Sequence, residues 1–521
     1  MNMDGKCSIE MLHRNGIVVG NINMTGINPA DMIRWLDNMV WGPWLLILLL
    51  GTGCYLMLRL KFLPLKNLKY ALKCAFGGER KDVGKSGGKS GTISSFASLT
   101  TELAITLGTG NIIGVATAMV LGGPGALFWM VVTSVIGMAT KLVESVLAVK
   151  YRGTNEKGET AGGPMYTCLH ICTNKKIGRK LGVAFAFFAV MASFGMGNMT
   201  QSNSIADALW VSFHIPKAKT GLILTIITVL VVLGGIGVIG KVTQVLVPFM
   251  GVFYLLGTLV VILAHWRNLP EAVTGILAAA LHPQAVSGGL FGSVTVTAFE
   301  SLRWGVARGI FSNEAGLGAA GITTAAADTK DYIRQGYISM TGVFLDTIII
   351  CTVTGLAFAV SGVIGTTDAS GMPLTGTALT LAAFCTILGE RGSSFVSICI
   401  TLFAFATIIG WAYQGERAFE FLMGGRTKYN LMYRFVYALT AFLGCICSLE
   451  TVWNFSDICN GLMAVPNLIC VLALSGKVCQ EILSYPVPGK RPLRTGDDFS
   501  FKKGMRKGRN KLNIGSRNTL R

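Results

Sequence analysis

The residues best suited to bind something small interrupt two apolar stretches. In Leu103-Ala-Ile-Thr-Leu-Gly-Thr-Gly-Asn-Ile-Ile-Gly-Val-Ala-Thr117, the residues Gly108, Thr109, Gly110 and Asn111 fall near the middle of an apolar segment from Phe96 to Leu121. In Arg308-Gly-Ile-Phe-Ser-Asn-Glu-Ala-Gly-Leu-Gly318, Ser312, Asn313, Glu314, Gly316 and Gly318 break a second segment, from Phe291 to Ala327. Gly weakens a helix by about 1 kcal/mol relative to Ala, and without a Cβ it lets a ligand reach the backbone. Backbone groups freed by such a break cannot stay unpaired in hydrocarbon, so each break must face a polar cavity or something bound in it. Amides at a half-helix N-terminus suit a carboxylate, and unwound carbonyls suit a small cation. Small residues also serve plain helix packing, but two breaks at corresponding positions, each with an Asn, favour a binding site.

Other polar residues agree with that placement. Asn198, Gln201 and Ser202 stand at i, i+3 and i+4, on one face of a helix, as do Thr407 and Trp411 at i and i+4. Thr407 could offer its hydroxyl to a cation or bond back to its own helix, and Trp411 could wall off a small side chain. Charged residues at membrane depth are functional candidates by default. Lys141 with Glu144, and Glu300 with Arg303, stand at i, i+3 and are expected to neutralise each other. Glu102 precedes the Gly108 break by about two turns, where it is placed to titrate, to bind a cation or to lie at the cytoplasmic interface.

Three motifs resemble chemistry without supporting it. Gly84-Lys-Ser-Gly-Gly-Lys-Ser90 lacks the first Gly of a phosphate-binding loop, since Val83 stands there, and reads as a basic linker. Gly316-Leu-Gly-Ala-Ala-Gly321 matches a dinucleotide fingerprint but lies in a membrane-length apolar region rather than between a strand and a helix. Cys168-Leu-His-Ile-Cys172 has no second ligand cluster to complete a metal site. None of the 5 His lies mid-span, which leaves no basis for a catalytic triad or a haem site there. The 13 Cys are scattered, several within apolar runs, and are expected to act as small hydrophobes rather than a disulfide framework.

The elements that must position these residues are helices. Only 14% of the 521 residues are charged, against about 25% in a soluble domain, and Gly, at 65 residues, is abundant, as in membrane helices. Apolar runs at Trp44 to Leu60, Ala126 to Val149, Leu181 to Met196, Leu222 to Ile239, Val242 to Ala264, Gly342 to Val363, Val396 to Trp411, Tyr433 to Ser448 and Leu462 to Leu474 join the two broken ones. The sum is about eleven spans in an all-α integral membrane protein. The N-terminus lacks the apolar core and cleavage site of a signal peptide, so the first span is expected to be retained. The net charge of +19 is carried largely by alternate connections, such as Lys61 to Ser95 and the tail with Lys502, Lys503, Arg506, Lys507, Arg509 and Lys511. That distribution fits a positive-inside orientation, with the N-terminus outside and the C-terminus cytoplasmic, and a tail facing anionic lipid rather than nucleic acid. The expected organisation is an extracytoplasmic segment 1–41, a transmembrane domain 42–476 and a basic cytoplasmic tail 477–521.

Gly108-Thr-Gly-Asn-Ile-Ile-Gly-Val-Ala-Thr-Ala118, Gly122-Gly-Pro-Gly-Ala126, Gly195-Met-Gly-Asn-Met-Thr-Gln-Ser-Asn-Ser204, Phe311-Ser-Asn-Glu-Ala-Gly-Leu-Gly318 and Asn460-Gly-Leu-Met-Ala-Val-Pro-Asn467 resemble the alanine or glycine:cation symporter family. The resemblance runs from about Trp41 to Ser475. It implies a LeuT-type fold of two inverted five-helix repeats, about 93–264 and 288–476, with one extra N-terminal helix. It also implies a plasma-membrane symporter, monomeric and no enzyme, that imports alanine or glycine with sodium as the co-transported ion and uses no cofactor. Carried over by position, the amides of Gly108, Thr109 and Gly110 hold the substrate carboxylate, and Thr106, Asn111, Gln201, Phe311, Ser312, Asn313, Thr407 and Trp411 line the pocket. Sodium is assigned to the carbonyls of Ala104, Leu107 and Phe403 and the hydroxyl of Thr407. The chain departs from the pattern at Ala406, where a second hydroxyl beside Thr407 is frequent, and at Glu102, where a small residue is common. Gly321 and Thr324 stand where Pro and His are usual. The first two departures make proton coupling, with Glu102 as the coupling carboxylate, the alternative to sodium. A channel is the more distant one.

Overall fold

The computed structural model describes residues 29–77, 92–171, 175–282, 284–286, 295–368, 371–447 and 449–488. Helix α1 (Pro43–Arg59) begins on a proline, which costs nothing in a first turn whose amides have no helical partner. Among the helices after it are α2 (Ser95–Thr106), α3 (Ile113–Leu121), α4 (Ala126–Lys150), α5 (Lys175–Phe213), α6 (Lys217–Leu233) and α7 (Gly235–Ala264). Then come α8 (Ala298–Asn313), α9 (Ala320–Thr324), α10 (Tyr332–Ser361), α11 (Glu390–Leu422), α12 (Asn430–Ile446) and α13 (Leu449–Leu483). Two antiparallel hairpins join helices, β1 (Gly153–Thr154) with β2 (Thr160–Ala161) and β3 (Gln284–Val286) with β4 (Thr295–Thr297).

Among the described residues, 6 helices are long and apolar enough to cross a membrane: α4, α5, α7, α10, α11 and the Ser456–Leu483 part of α13. The other runs read as spans correspond to the shorter α1, α6 and α12 and to the broken pairs α2/α3 and α8/α9. Burial separates centre from rim. The most apolar window of α11 is 72% buried and that of α7 only 33%, so α11 lies among the other helices while α7 turns Val245, Leu256 and Leu263 outward. Apolar side chains need no cover where the surroundings are hydrocarbon.

Several expectations shift in detail. The run Leu181 to Met196 is the first part of a 39-residue helix, α5, which carries the polar patch Asn198 to Ser204 along with it. Leu222 to Ile239 is not one helix: α6 stops at Leu233 and Gly235, at φ +63°, turns the chain into α7. Cys351, Cys399 and Cys445 are free and buried as expected, but Cys168 and Cys470 form a disulfide across 302 positions. That pair is a product of tertiary proximity, with Cα atoms 5.6 Å apart, which spacing along the chain does not reveal. It also removes Cys168 from any metal site, while His170 stacks on Tyr151. The segment Gly84–Ser90, Cys172 and residues 489–521 of the tail lie outside the described residues, while α13 continues past the expected boundary at 476 to Leu483.

Candidate functional site

The first break follows from local chemistry. Ser94 caps α2 by accepting the Ala97 amide at 3.0 Å, and the helix ends at Leu107 before a 3-10 turn, Thr109–Asn111, leads into α3. The freed groups find partners from the chain itself: the Gly108 amide donates to Asn111 Oδ1 at 3.1 Å, and the Thr109 amide to Gln201 Oε1 at 3.2 Å. Gln201 is held in turn by donating to the Met196 carbonyl at 3.1 Å, within the π turn Gly195–Met199 of α5. The polar face read from the sequence divides between two neighbours. Gln201 points at the break, while Ser202 donates to Asn198, whose amide donates to Tyr437 and Thr440 on α12.

Thr407 on α11 closes this side. Its hydroxyl lies 3.0 Å from the Ala104 carbonyl, 3.3 Å from Ile105 and 3.2 Å from Phe403. The bond to its own helix and the contact across to α2 therefore coexist. Three of the four residues assigned to the cation meet here, with Ile105 supplying a further carbonyl; Leu107 is buried nearby in the break. Glycine is needed at Gly108 because a Cβ there would stand 2.5 Å from Thr407 Oγ1.

In the second break α8 ends at Asn313, Glu314 takes a left-handed φ of +57°, and Gly316 and Gly318 follow at +95° and +82°. Side chains from other helices satisfy the exposed backbone. Lys141 Nζ on α4 donates to the Asn313 carbonyl at 3.0 Å, and Asn467 on α13 donates to Gly316 O at 2.9 Å and to Glu144. Glu144 also faces the Gly316 amide at 3.4 Å. Asn313 is spent on Ser134, Thr347 and the Ala315 amide, so it supports the break rather than opening toward a pocket. A Cβ on Gly110 would lie 3.3 Å from both Phe311 Cδ1 and Ser312 Cα, so the two breaks pack directly on each other. Trp411 seats its indole against Gly197 in the π turn.

The charged pairs read from the sequence are rearranged. Lys141 reaches Glu102, at 3.3 Å, instead of neutralising Glu144, and Ser339 and Thr324 donate to the same carboxylate at 2.7 and 3.1 Å. Glu102 is therefore wholly enclosed, 1% exposed, and not at an interface. Glu300 caps α8 through Thr297 while Arg303 reaches Asn38. These partners come from distant helices, so spacing along one helix could not name them.

Asp346 escaped the sequence reading. It lies in a π-helical stretch of α10, Phe344–Cys351, and is fully buried. It accepts from Asn111 at 2.7 Å, Ser312 at 2.8 Å and Thr347 at 2.6 Å, so one carboxylate ties the first break to the second. A lone acid in the apolar run Gly342 to Val363 was the signal available.

Each end of the site is covered. At one, Phe311 stacks on Trp453 with ring centres 5.3 Å apart. Arg308 lies over both rings at 5.4 and 5.1 Å and pairs with Asp457 at 2.8 Å. At the other, the Thr92 amide donates to Ala326 O at 2.9 Å, and Arg152 donates to the carbonyls of Ala325 and Ala327 at 2.9 and 2.7 Å. Beside it the β1/β2 hairpin is pinned to α11 by Glu159 and Arg417 at 2.9 Å. Burial alone would raise the Glu159 carboxyl, but Arg417 and the Asn155 hydrogen bond hold it below the ordinary value of 4.5.

Two broken helices thus pack break to break, with the Thr407 hydroxyl among carbonyls beside them. Residues 26–495 match the sodium:alanine symporter family. The chain belongs to that family. As a sodium:alanine symporter family member it is a multi-pass membrane transporter for sodium-coupled amino-acid movement. It is 47% identical over 459 residues to the sodium/alanine symporter AgcS of Methanococcus maripaludis, covering 88% of this chain and 97% of that one. It is 34% identical to the probable sodium/glutamine symporter GlnT of Bacillus subtilis, covering 91% and 93%. Its fold resembles that of the solved structure of MhsT in complex with L-phenylalanine, with a TM-score of 0.53 at 13% identity, over 75% of this chain and 90% of that one. The architecture is thus LeuT-type.

Proposed function

We propose that this protein imports a small neutral amino acid, alanine or glycine, together with sodium, by alternating access at the two breaks. The observation that carries the reading is the close packing around the first break, where Gly108 meets Thr407 of α11 and Gln201 of α5, and Gly110 meets Phe311 and Ser312 of the second break. Space this tight suits a substrate with little or no side chain, and the amides of Gly108, Thr109 and Gly110 are the donors for its carboxylate. Binding would displace Gln201 from the Thr109 amide and Asn111 Oδ1 from the Gly108 amide. The hydroxyls of Thr106 and Thr109 are buried without partners, so polar groups are in place for a zwitterion. The archaeal relative is named for alanine, which supports this substrate, and the Bacillus relative is named as a probable glutamine symporter, which makes glutamine the substrate to compare.

The sodium site of this reading is the Thr407 hydroxyl with the carbonyls of Ala104, Phe403 and Leu107. An oxygen cage assembled from both α2 and α11 gives sodium a reason to hold these helices together. A sodium ion moving inward gains about 2.3 kcal/mol per 100 mV, enough to accumulate a neutral zwitterion. The helices fall into two units, 93–264 and 288–476, each opening on a broken helix, and α1 stands outside them. With the N-terminus outside and the C-terminus cytoplasmic, the Phe311–Trp453–Arg308 cover faces outward and the Arg152 cover inward. The protein acts as a monomer in the plasma membrane.

Uptake of labelled alanine, glycine and glutamine into liposomes holding the purified protein tests this, with an inward sodium gradient compared with potassium. Alanine and glycine should accumulate with sodium only, and glutamine poorly. Accumulation that ignores sodium but follows a proton gradient overturns the coupling, and preference for glutamine overturns the small pocket.

A further inference from the structure

Glu314, at the elbow of the second break, has no exposed surface, and neither of its carboxylate oxygens has a hydrogen-bond partner. The other buried acids around it are provided for. Glu102 has Lys141, Ser339 and Thr324; Glu144 has Asn467 and the Gly316 amide; Asp346 has Asn111, Ser312 and Thr347. Facing Glu314 are Lys141 on α4, Glu102 on α2, Asp346 on α10 and the Trp411 indole on α11. The Lys141 ammonium is already engaged by Glu102 and the Asn313 carbonyl. Four carboxylates therefore share one ammonium in a low-dielectric interior, and Glu314 alone among them has neither a counter-ion at contact distance nor a donor at hydrogen-bond distance. An isolated ionised carboxylate is too costly there, and such a group neutralises instead.

Two cations are candidates for that neutralisation. Sodium needs a shell of oxygens, whereas Glu314 faces the Lys141 ammonium and the Trp411 indole. The indole N–H of Trp411, which faces the carboxylate, turns a donor rather than an acceptor toward it. A proton needs only one carboxylate oxygen and leaves the other to accept from the indole. We infer that Glu314 is a protonation site of the transport cycle, holding a proton while both ends of the central site are closed and releasing it to water when one end opens. The proton is bound to a carboxyl oxygen and leaves as hydronium, so no other reactant is required. This rests on the symport reading above.

The test uses full-length protein in liposomes, comparing wild type with Glu314→Gln, a permanent mimic of the protonated side chain. Net sodium-driven alanine uptake and alanine counterflow are each measured from acid to alkaline pH. Wild-type net uptake is expected to fall toward alkaline pH. Counterflow uses only the loaded, closed steps, so the Gln variant should retain it while losing net uptake, with a flat pH profile. A wild-type profile that is flat, or a Gln variant with net uptake and the wild-type profile, overturns the inference. If the Gln variant shows neither counterflow nor thermal stabilisation by alanine, Glu314→Asp decides. A shifted pH midpoint supports the site and an unmoved one overturns it. Wild type that moves no alanine or glycine under a sodium gradient sinks the symport reading instead, before any variant is made.

Discussion

Adding one methyl at Gly108 tests whether the tight contact between α2 and α11 supports ion binding. Gly108 has φ −117°, which Ala adopts without strain, so any effect comes from contact. The new Cβ would stand 2.5 Å from Thr407 Oγ1 and 3.2 Å from Gln201 Oε1. Carbon and oxygen rest near 3.5 Å, so either the helices part by about 1 Å or the Thr407 side chain rotates away. Overpacking of this kind costs about 1–3 kcal/mol, and rotation gives up the contacts at 3.0 and 3.2 Å to Ala104 and Phe403. At about 1.4 kcal/mol per tenfold, Gly108→Ala is expected to weaken apparent sodium affinity by about 5- to 150-fold. The assay is labelled alanine uptake against sodium concentration in liposomes, with thermal unfolding as the control for folding. Gly110→Ala meets its nearest atoms at 3.3 Å, so it should change alanine affinity modestly and sodium dependence little. Gly51→Ala, with nothing within 4 Å, should be neutral or slightly stabilising. Wild-type sodium dependence in Gly108→Ala, or a larger loss of sodium affinity in Gly110→Ala, would refute the reasoning.

Asp346→Asn turns an amide donor toward Asn111, Ser312 or Thr347, each of which now donates to the carboxylate. Uptake should collapse and the melting temperature should drop, and a variant with wild-type uptake would show that this link between the breaks is dispensable. Lys141→Met strands Glu102 and should destabilise by about 3–5 kcal/mol. Adding Glu102→Gln should restore much of that, and denaturation showing the two changes to be additive would count against the pair. The depressed Glu159 carboxyl makes the hairpin's attachment pH-dependent. Its stabilisation is complete above the ordinary value of 4.5 and fades as pH falls through the lower folded value. Hydrogen exchange across residues 153–161 should therefore be faster in Glu159→Gln than in wild type near neutral pH, with the two converging in acid. A constant difference at all pH values would contradict this.

Much of the site was legible because two rules of membrane physics leave marks in a linear sequence. Apolar runs must be long, and polar residues inside them must have a use. Gly108 to Asn111 and Ser312 to Gly318 stood out on both counts, and Gln201, Thr407 and Trp411 followed from helical spacing. Asp346 obeyed the second rule as clearly but was overlooked, because it stands alone rather than in a motif. The pairing of Lys141 with Glu102 was misread because helical spacing ranks neighbours on one helix, whereas a buried charge takes whichever partner packing brings. Asn198 and Ser202 were grouped with Gln201 by helical spacing, but they bond each other and α12 while Gln201 turns to the first break, a division that only the neighbouring helices reveal.

By itself the sequence determined that the chain is helical and membrane-bound and where two of its helices break, since hydropathy, glycine and the obligatory pairing of backbone groups act locally. Only the tertiary structure decided how the breaks meet. Thr407 among the carbonyls of α2 and α11, Asp346 bridging Asn111 and Ser312, and Glu314 enclosed without a hydrogen-bond partner depend on separate helices, from 34 to 303 positions apart in the first two cases. The physical reason is that short-range polar contacts and buried charge are properties of neighbourhood in space, which no spacing along one helix records.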